Sequence, residues 1–333
     1  MSTHRHFWTR RRFSAATLAV AGAAAQAQVL PPGAGAARIR LVIPFSAGAT
    51  SDLLARPIMS ALEVELGKTI VIDNRPGVGG MRGAAEVARA APDGLTLAWG
   101  TVSNKAISPS LFANPPYDPL RDFTPISLIC AVPHVIMVHP RVPATTLPEL
   151  VALLRREPGR WEYASSGNGT SSHLIAEAFK TATRTFVVHI PYHPSQGLPD
   201  FLAGRVPLKF DTVVMSRAPV LDGRARALAV TSAQRSAVLP QVPTVKESGV
   251  PELAQFEATG WFGLYGPAGL PAEILGRLHA AVLAVLRRPE IVAHLRNNGA
   301  ELIGSTPQAF AEHNRREVER WSALIRRLGV RVD

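Results

Sequence analysis

Residues 40–56 read RLVIPFSAGATSDLLAR, and this stretch decides the fold. Ile39 to Pro44 is a short run rich in β-branched and aliphatic residues, the composition of a buried strand. Gly48 follows, and from Asp52 to Leu66 the apolar residues Leu54, Ile58 and Leu62 recur every four positions, the spacing of one helix face. The segment is therefore strand, small-residue turn, helix. Gly and Ala in the turn leave backbone N–H groups exposed, and the first helical turn adds unpaired amides and the positive end of the dipole. Pro44 to Asp52 is thus a possible anion site. Its plainer reading is a strand-to-helix turn capped by Thr50, Ser51 or Asp52.

Outward from this unit the alternation continues. Thr69 to Asp73 reads as a buried strand, Gly83 to Ala91 as a small-residue helix stopped by Pro92, and Leu95 to Thr101 as another strand. Strands alternating with helices argue for a parallel α/β sheet covered by helices. Ile126 to His139 is almost wholly apolar and long enough to run as one strand from one domain into another, with Pro133 punctuating it. The alternation then restarts with helix Leu147 to Arg156, strand Trp161 to Ala164, helix Ser172 to Ala182, strand Phe186 to Ile190, helix Gly197 to Ala203 and strand Val206 to Phe210. Ala225 to Thr231 reads as a strand, and Ala258 to Tyr265 as a second crossing. The last third is helical, with Leu278, Val282 and Val285 on one stripe and Val318, Trp321 and Leu324 on another. Two lobes follow, one from residues 38–132 and 260–333, the other from residues 133–259, with a cleft at the carboxyl ends of their strands.

The second lobe repeats the opening construction at Ser165 to Ser172 (SSGNGTSS), again a small polar loop between strand and helix. A ligand with two carboxylates would lie across the cleft with one at each helix N-terminus.

Composition narrows the classes. The 333 residues are 47% hydrophobic and 18% charged, enough to bury a large core. The single Cys130 cannot form an internal disulfide or a thiolate zinc site. At the start, MSTHRHFWTRRRF is basic without an acid, Ser14 to Ala25 is a small apolar run, and Ala25-Gln26-Ala27 fits the A-x-A cleavage pattern. Residues 1–27 therefore read as a secretory signal peptide, too short in its apolar part to span a bilayer. Thr9-Arg10-Arg11-Arg12-Phe13 also fits a twin-arginine signal. Removing Arg5, Arg10, Arg11 and Arg12 with the leader reduces the net charge from +11 to +7. What remains is dispersed, as in Arg315, Arg316, Glu317, Glu319 and Arg320, so no nucleic-acid footprint is expected. A modest positive field suits an anionic small ligand.

Enzyme signatures fail. Gly77-Val78-Gly79 and Gly167-Asn168-Gly169 are followed by Arg82 and Ser172 where a dinucleotide fingerprint needs glycine. Gly67-Lys68 has Leu62 in place of the first phosphate-loop glycine, and no G-x-S-x-G elbow exists. Pro191 between His189 and His193 forbids a shared zinc helix. No metal and no cofactor are expected. Cys130 reads as inert and buried, and His173 as a capping or core histidine. The remaining enzymatic alternative is an exported serine hydrolase using Ser166 or Ser171 with His173.

Several runs carry a resemblance. RLVIPFSAGATSDLLAR (40–56), VIDNRPGVGG (71–80), APDGLTL (91–97), PYDPLRDFTPIS (116–127), YASSGNGTSSHLIAEAF (163–179), VVHIPYHPSQGLPDFLAGRV (187–206), LAVTSAQRSAVLPQVPTVKESGVPE (228–252) and WFGLYGPAGLP (261–271) resemble the Bug-type solute-binding receptors of tripartite tricarboxylate transporters. The match covers essentially the whole mature chain in the family's order.

The resemblance implies an α/β, two-lobed periplasmic binding protein fold of type II, each lobe a mixed sheet flanked by helices, with two hinge crossings. It implies a periplasmic, monomeric, non-catalytic receptor that closes on a small carboxylate (dicarboxylate, tricarboxylate, amino acid or aromatic acid). Delivery to membrane permease subunits follows, or else signalling to a membrane sensor protein. The family's first carboxylate loop falls on Phe45, Ser46, Ala47, Gly48, Ala49, Thr50 and Asp52. Its second falls on Ser165, Ser166, Gly167, Asn168, Gly169 and Thr170, with His173 supporting the helix start. Further cleft positions are Thr101, Ser103, Tyr192 and Asp211. Amides and hydroxyls would bind carboxylate oxygens, often through water, and Asp52 or Asp211 a ligand amine or ordered water. Four positions depart from the family pattern: Ala49 for a glycine, Ser46 for a proline, Tyr192-His193-Pro194 for a Tyr-Lys-Gly turn, and Ser108-Pro109 for Asn-Pro. They bear on ligand pose, because Ala49 adds a methyl near the expected carboxylate and His193 weakens cation support at neutral pH.

Overall fold

The opening strand and helix form where the sequence places them, as β1 (Ile39–Ile43) and α1 (Thr50–Leu66), the helix starting two residues before Asp52. The computed structural model describes residues 38–193 and 196–332. The leader expected at residues 1–27 and Pro194 of the histidine turn lie outside the described residues.

The chain continues through β2 (Ile70–Asn74), α2 (Met81–Ala88), β3 (Thr96–Thr101), a single π turn at Ser103–Ile107, α3 (Ser108–Leu111) and β4 (Phe123–Val138). Then come α4 (Leu147–Arg156), β5 (Glu162–Ser165), α5 (Ser171–Thr183), β6 (Val188–Pro191), α6 (Gly197–Leu202), β7 (Leu208–Thr212), α7 (Val213–Leu221) and β8 (Arg226–Val230). The C-terminal part holds β9 (Thr259–Pro267), α8 (Ala272–Leu286), α9 (Pro289–Asn297), β10 (Glu301–Leu302) and α10 (Pro307–Leu328).

The parallel pattern expected for residues 39–101 is present: β2, β1 and β3 pair in parallel. β5 likewise pairs in parallel with β6 and β7. The whole is mixed because β9 runs antiparallel to β3 and β4, while β7 and β8 run antiparallel to the far end of β4. The long apolar run thus forms one strand shared by two sheets. Residues Phe123 to Pro133 of β4 pair with β9, and His134 to Val138 pair with β7.

Alternate residues along the strands enter different cores. Leu41, Ile43, Leu97, Trp99, Val135 and Met137 belong to one apolar cluster, and Val42, Ala98, Ile136 and Val138 to the other. Both sheet faces are therefore covered, which is why these strands read as continuous apolar runs rather than alternating ones. Cys130 is fully buried, and burial pushes its thiol pKa up, as for an inert core residue.

Pro133 of β4 pairs with Thr259 of β9. Fully buried Thr231 ties β4 to the entry of β9: its hydroxyl accepts from the His134 amide at 3.0 Å, its amide donates to the His134 carbonyl at 2.9 Å, and its carbonyl accepts from the Ala258 amide at 3.0 Å.

Candidate functional site

The first loop is clamped from below. Asp52 accepts from the Gly48 amide at 2.9 Å, from Arg56 Nε and Nη2 at 2.8 Å each, and from Asn74 Nδ2 at 3.0 Å. Asn74 Nδ2 also donates to the Phe45 carbonyl at 2.9 Å. Burial alone would raise the Asp52 pKa, but Arg56, the Gly48 amide and Asn74 together hold it below the ordinary carboxylate value. The α1 N-cap, Ala49, has no side-chain cap, so the first-turn amides of Thr50 and Ser51 face the cleft with the helix dipole behind them.

The second loop is built from its own hydroxyls. Ser165 Oγ lies 2.6 Å from His189 Nε2 and accepts from the Gly167 amide at 3.1 Å. The Ser166 amide donates to Ser172 Oγ at 2.9 Å, Thr170 Oγ1 donates to the Gly167 carbonyl at 2.7 Å, and the Gly169 amide donates to His173 Nδ1 at 3.4 Å. Behind the loop Tyr163, His189 and His173 form a stack, with ring centroids 4.8 and 4.2 Å apart. Burial lowers the His189 pKa to about 3, with His173 and Lys180 adding to it, and that of His173 to about 4. Both are neutral near pH 7.

A cavity of about 320 Å³ opens between the two loops. Of the residues singled out from the sequence it is lined by Phe45, Ala47, Gly48, Ala49, Thr50, Thr101, Ser103, Ser166, Thr170 and Asp211. Ser46, Asp52, Ser165, Gly167, Asn168, Gly169 and Tyr192 are not among the lining residues. They shape it from behind or lie aside: Asp52 and Ser165 are spent on the loop contacts above, and the Tyr192 hydroxyl donates to Asp200 Oδ2 at 3.0 Å.

The lining also includes Ser51, Val102, His134, Ser171, Ser172, Leu198, Pro199, Thr212, Met215, Gly260, Trp261 and Phe262, which the sequence reading does not single out as ligand-facing. Thr212 is the N-cap of α7 and lacks a side-chain cap hydrogen bond, so α7 joins α1 and α5 as a third helix whose N-terminus meets the cavity. Asp211 sits beside it, paired with buried Lys209 at 3.2 Å and accepting from the Thr212 amide at 2.8 Å. Among the described residues no Lys or Arg lines the cavity.

Direct contacts cross the cleft. Thr50 Oγ1 and Thr212 Oγ1 are 2.7 Å apart, and the Ser171 amide donates to Ser103 Oγ at 3.0 Å. Ser171 Oγ lies 2.9 Å from His134 Nε2, so the serine–histidine pair in the cavity uses His134, not His173. His134 Nδ1 has no hydrogen-bond partner, and burial lowers the ring's pKa to about 4. That leaves a weak base with no carboxylate to orient it. Among the described residues no group of three or more His, Cys, Asp or Glu side chains is placed to hold a metal ion.

Comparison with known proteins places the chain. Residues 54–330 match the family model described as tripartite tricarboxylate transporter family receptor. Protein BugT of Bordetella pertussis (strain Tohama I) is 31% identical over 296 residues, 88% of this chain and 90% of that protein. Among solved structures, R. palustris Rpa4515 with adipate is 36% identical with a TM-score of 0.84, covering 88% of this chain and 98% of that one. The periplasmic binding protein BugD is 31% identical with a TM-score of 0.83, over 88% and 98% of the two chains.

Proposed function

The chain belongs to the tripartite tricarboxylate transporter receptor family, of the Bug type, and from that premise we propose that it captures a small carboxylate in the periplasm and delivers it to membrane permease subunits. The observation that carries the ligand class is the convergence of the α1, α5 and α7 N-termini on one cavity without a lysine or arginine in its wall. Uncapped first-turn amides with the positive dipole end behind them bind an anion without a formal counter-charge, and at α5, where the Ser171 amide already donates to Ser103 Oγ, neighbouring hydroxyls share that role. One carboxylate sits at Thr50 and Ser51, with the Thr50 hydroxyl beside them. A second anionic or polar group sits against Ser166, Thr170 and Thr101, where Ser103 supplies a further hydroxyl. Asp211, engaged by Lys209 and the Thr212 amide, takes an ordered water rather than a donor from the ligand. The adipate held by the R. palustris relative is in keeping with this class.

The receptor works by closure of two lobes, residues 38–132 with 260–333 and residues 133–259, hinged where β4 and β9 meet at Thr231. It acts as a monomer and without catalysis. Export rests on the basic leader and the A-x-A site at residues 25–27. No helix among the described residues is long and apolar enough to cross a membrane.

The test is a thermal-shift screen of organic acids on the mature chain. A ligand at a hundred times its Kd stabilises the fold by about 2.7 kcal/mol. A screen of di- and monocarboxylates, amino acids and aromatic acids in which nothing raises the melting temperature defeats the proposal.

A further inference from the structure

The cavity has two unlike surfaces. One is hydroxyl and amide, at the N-termini of α1, α5 and α7. The other is hydrocarbon: Phe45, Val102, Leu198, Met215, Trp261 and Phe262 face the same space. The polar edge of Trp261 is turned away, because its indole Nε1 donates to Glu317 Oε2 at 3.0 Å, so the ring meets the cavity as apolar surface. Asp211, the one carboxylate in the wall among the described residues, is already engaged by Lys209 and the Thr212 amide. His134 is 1% exposed and held neutral by burial.

Such a wall discriminates among acids. A methylene laid against it leaves water and gains about fourfold in affinity. A hydroxyl on the part of the ligand laid against these apolar side chains gives up its water without a partner, at a cost on the order of tenfold or more. A third carboxylate meets no cation, and at the remaining helix N-terminus, that of α7, it would face the Asp211 carboxylate. Resting on the carboxylate reading above, we infer that the ligand is an acid with an unbroken hydrocarbon body, an aliphatic chain or a single aromatic ring. Hydroxylated short diacids and tricarboxylates are disfavoured. Trp261 and Met215, both in the cavity wall, are the specificity-determining side chains.

Isothermal titration of the purified mature chain tests this with two homologous series, butanoate to octanoate and succinate to adipate, together with benzoate, malate and citrate. Affinity is expected to rise about fourfold per methylene until the cavity is filled. Malate should bind at least about tenfold more weakly than succinate, and citrate more weakly than adipate. Met215→Gln should flatten the slope with chain length while short acids still bind. A flat series among acids that do bind, or malate or citrate exceeding its hydrocarbon counterpart, overturns this inference and leaves the carboxylate reading standing. Hexanamide binding as tightly as hexanoate overturns the carboxylate reading, and this inference with it.

Discussion

The Ser108 hydroxyl donates to the Gly169 carbonyl at 2.9 Å, joining the segment after β3 to the loop between β5 and α5. The same hydroxyl lies 3.3 Å from the Gly79 carbonyl. Three small residues, Gly79, Ser108 and Gly169, thus meet at one point. A Cβ on Gly79 would fall 2.0 Å from Ser108 Oγ and 3.1 Å from the Asn168 carbonyl oxygen, at a φ of +59° that side chains rarely adopt. Gly79 is required for this approach rather than only for a turn.

Gly79→Ala should therefore hold the halves apart. Ligand affinity is expected to fall by about tenfold or more, because part of the binding energy must push the methyl aside. Small-angle scattering with saturating ligand should show a larger radius of gyration than for the native chain. Native-like affinity and compaction in the variant would separate closure from this contact.

The Asp52 clamp makes a pH-dependent prediction. Its folded pKa lies below the unfolded value of about 3.9, so its contribution is complete above that pH and is lost as pH falls through the folded value. Charge-assisted hydrogen bonds of this kind contribute about 1.5 to 3 kcal/mol. Asp52→Asn should cost about 2 kcal/mol at pH 7 in urea unfolding, and the gap between native and variant should close below about pH 4. A gap that stays constant through that range would show that Asp52 acts by shape alone.

The histidine stack predicts acid sensitivity at a milder pH. With His189 near 3 and His173 near 4 in the folded chain, and about 6.5 unfolded, the unfolded state binds more protons below that value. Stability is then full above about pH 6.5 and falls as pH drops, by about 2 kcal/mol per histidine at pH 5. His189→Gln, which keeps a polar partner for Ser165 but does not titrate, should flatten the profile between pH 7 and 5. Equal slopes in native and variant would show that the stack does not set it.

The serine–histidine pair predicts an absence. Ser171 and His134 are within hydrogen-bond reach, but a ring with pKa near 4 and an unpartnered Nδ1 is a poor general base. A fluorophosphonate probe should leave Ser171 unlabelled, and p-nitrophenyl esters should turn over no faster than with Ser171→Ala. Labelling at Ser171 would restore the hydrolase reading.

What the sequence made legible, and what it did not, has a physical pattern. β1, α1, β5 and α5 were readable because each is a local unit in which strand composition, small-residue loop and helix spacing agree. β4 was readable as one strand serving two sheets because both its faces are buried and only Ser127 and His134 are polar between Ile126 and Val138. The third helix N-terminus was not. α7 follows β7 directly, carries Pro219, and has only Val213, Ser216 and Pro219 buried, so it lacks the apolar stripe that marks α1. Gly260, Trp261 and Phe262 could be placed on a crossing strand, but nothing local shows that β9 turns them toward a loop some two hundred residues earlier. Asp52, Ser165 and Tyr192 carry the right chemistry at positions the family resemblance marks. Their nearest partners are Arg56, His189 and Asp200, and a spacing pattern does not reveal which polar neighbour a side chain takes.

Glu317 shows how a distant helix sets the cavity wall. On α10 its Oε2 accepts from Trp261 Nε1 at 3.0 Å and from Trp321 Nε1 at 3.1 Å, and Arg320 approaches Oε1 at 3.2 Å. Trp261 is further held edge-on to Phe310 and His313, with centroids 5.8 and 5.2 Å away. Glu317→Ala strands two buried indole donors, each costing about 1 to 3 kcal/mol. The variant should lose about 2 to 5 kcal/mol in denaturant unfolding. Glu317→Gln keeps an acceptor oxygen and should lose roughly half as much. Because Trp261 is part of the hydrocarbon wall, Glu317→Ala should also weaken binding of long-chain acids more than short ones at a temperature where both chains are folded. An equal effect on short and long acids would mean that α10 supports the fold without orienting the wall.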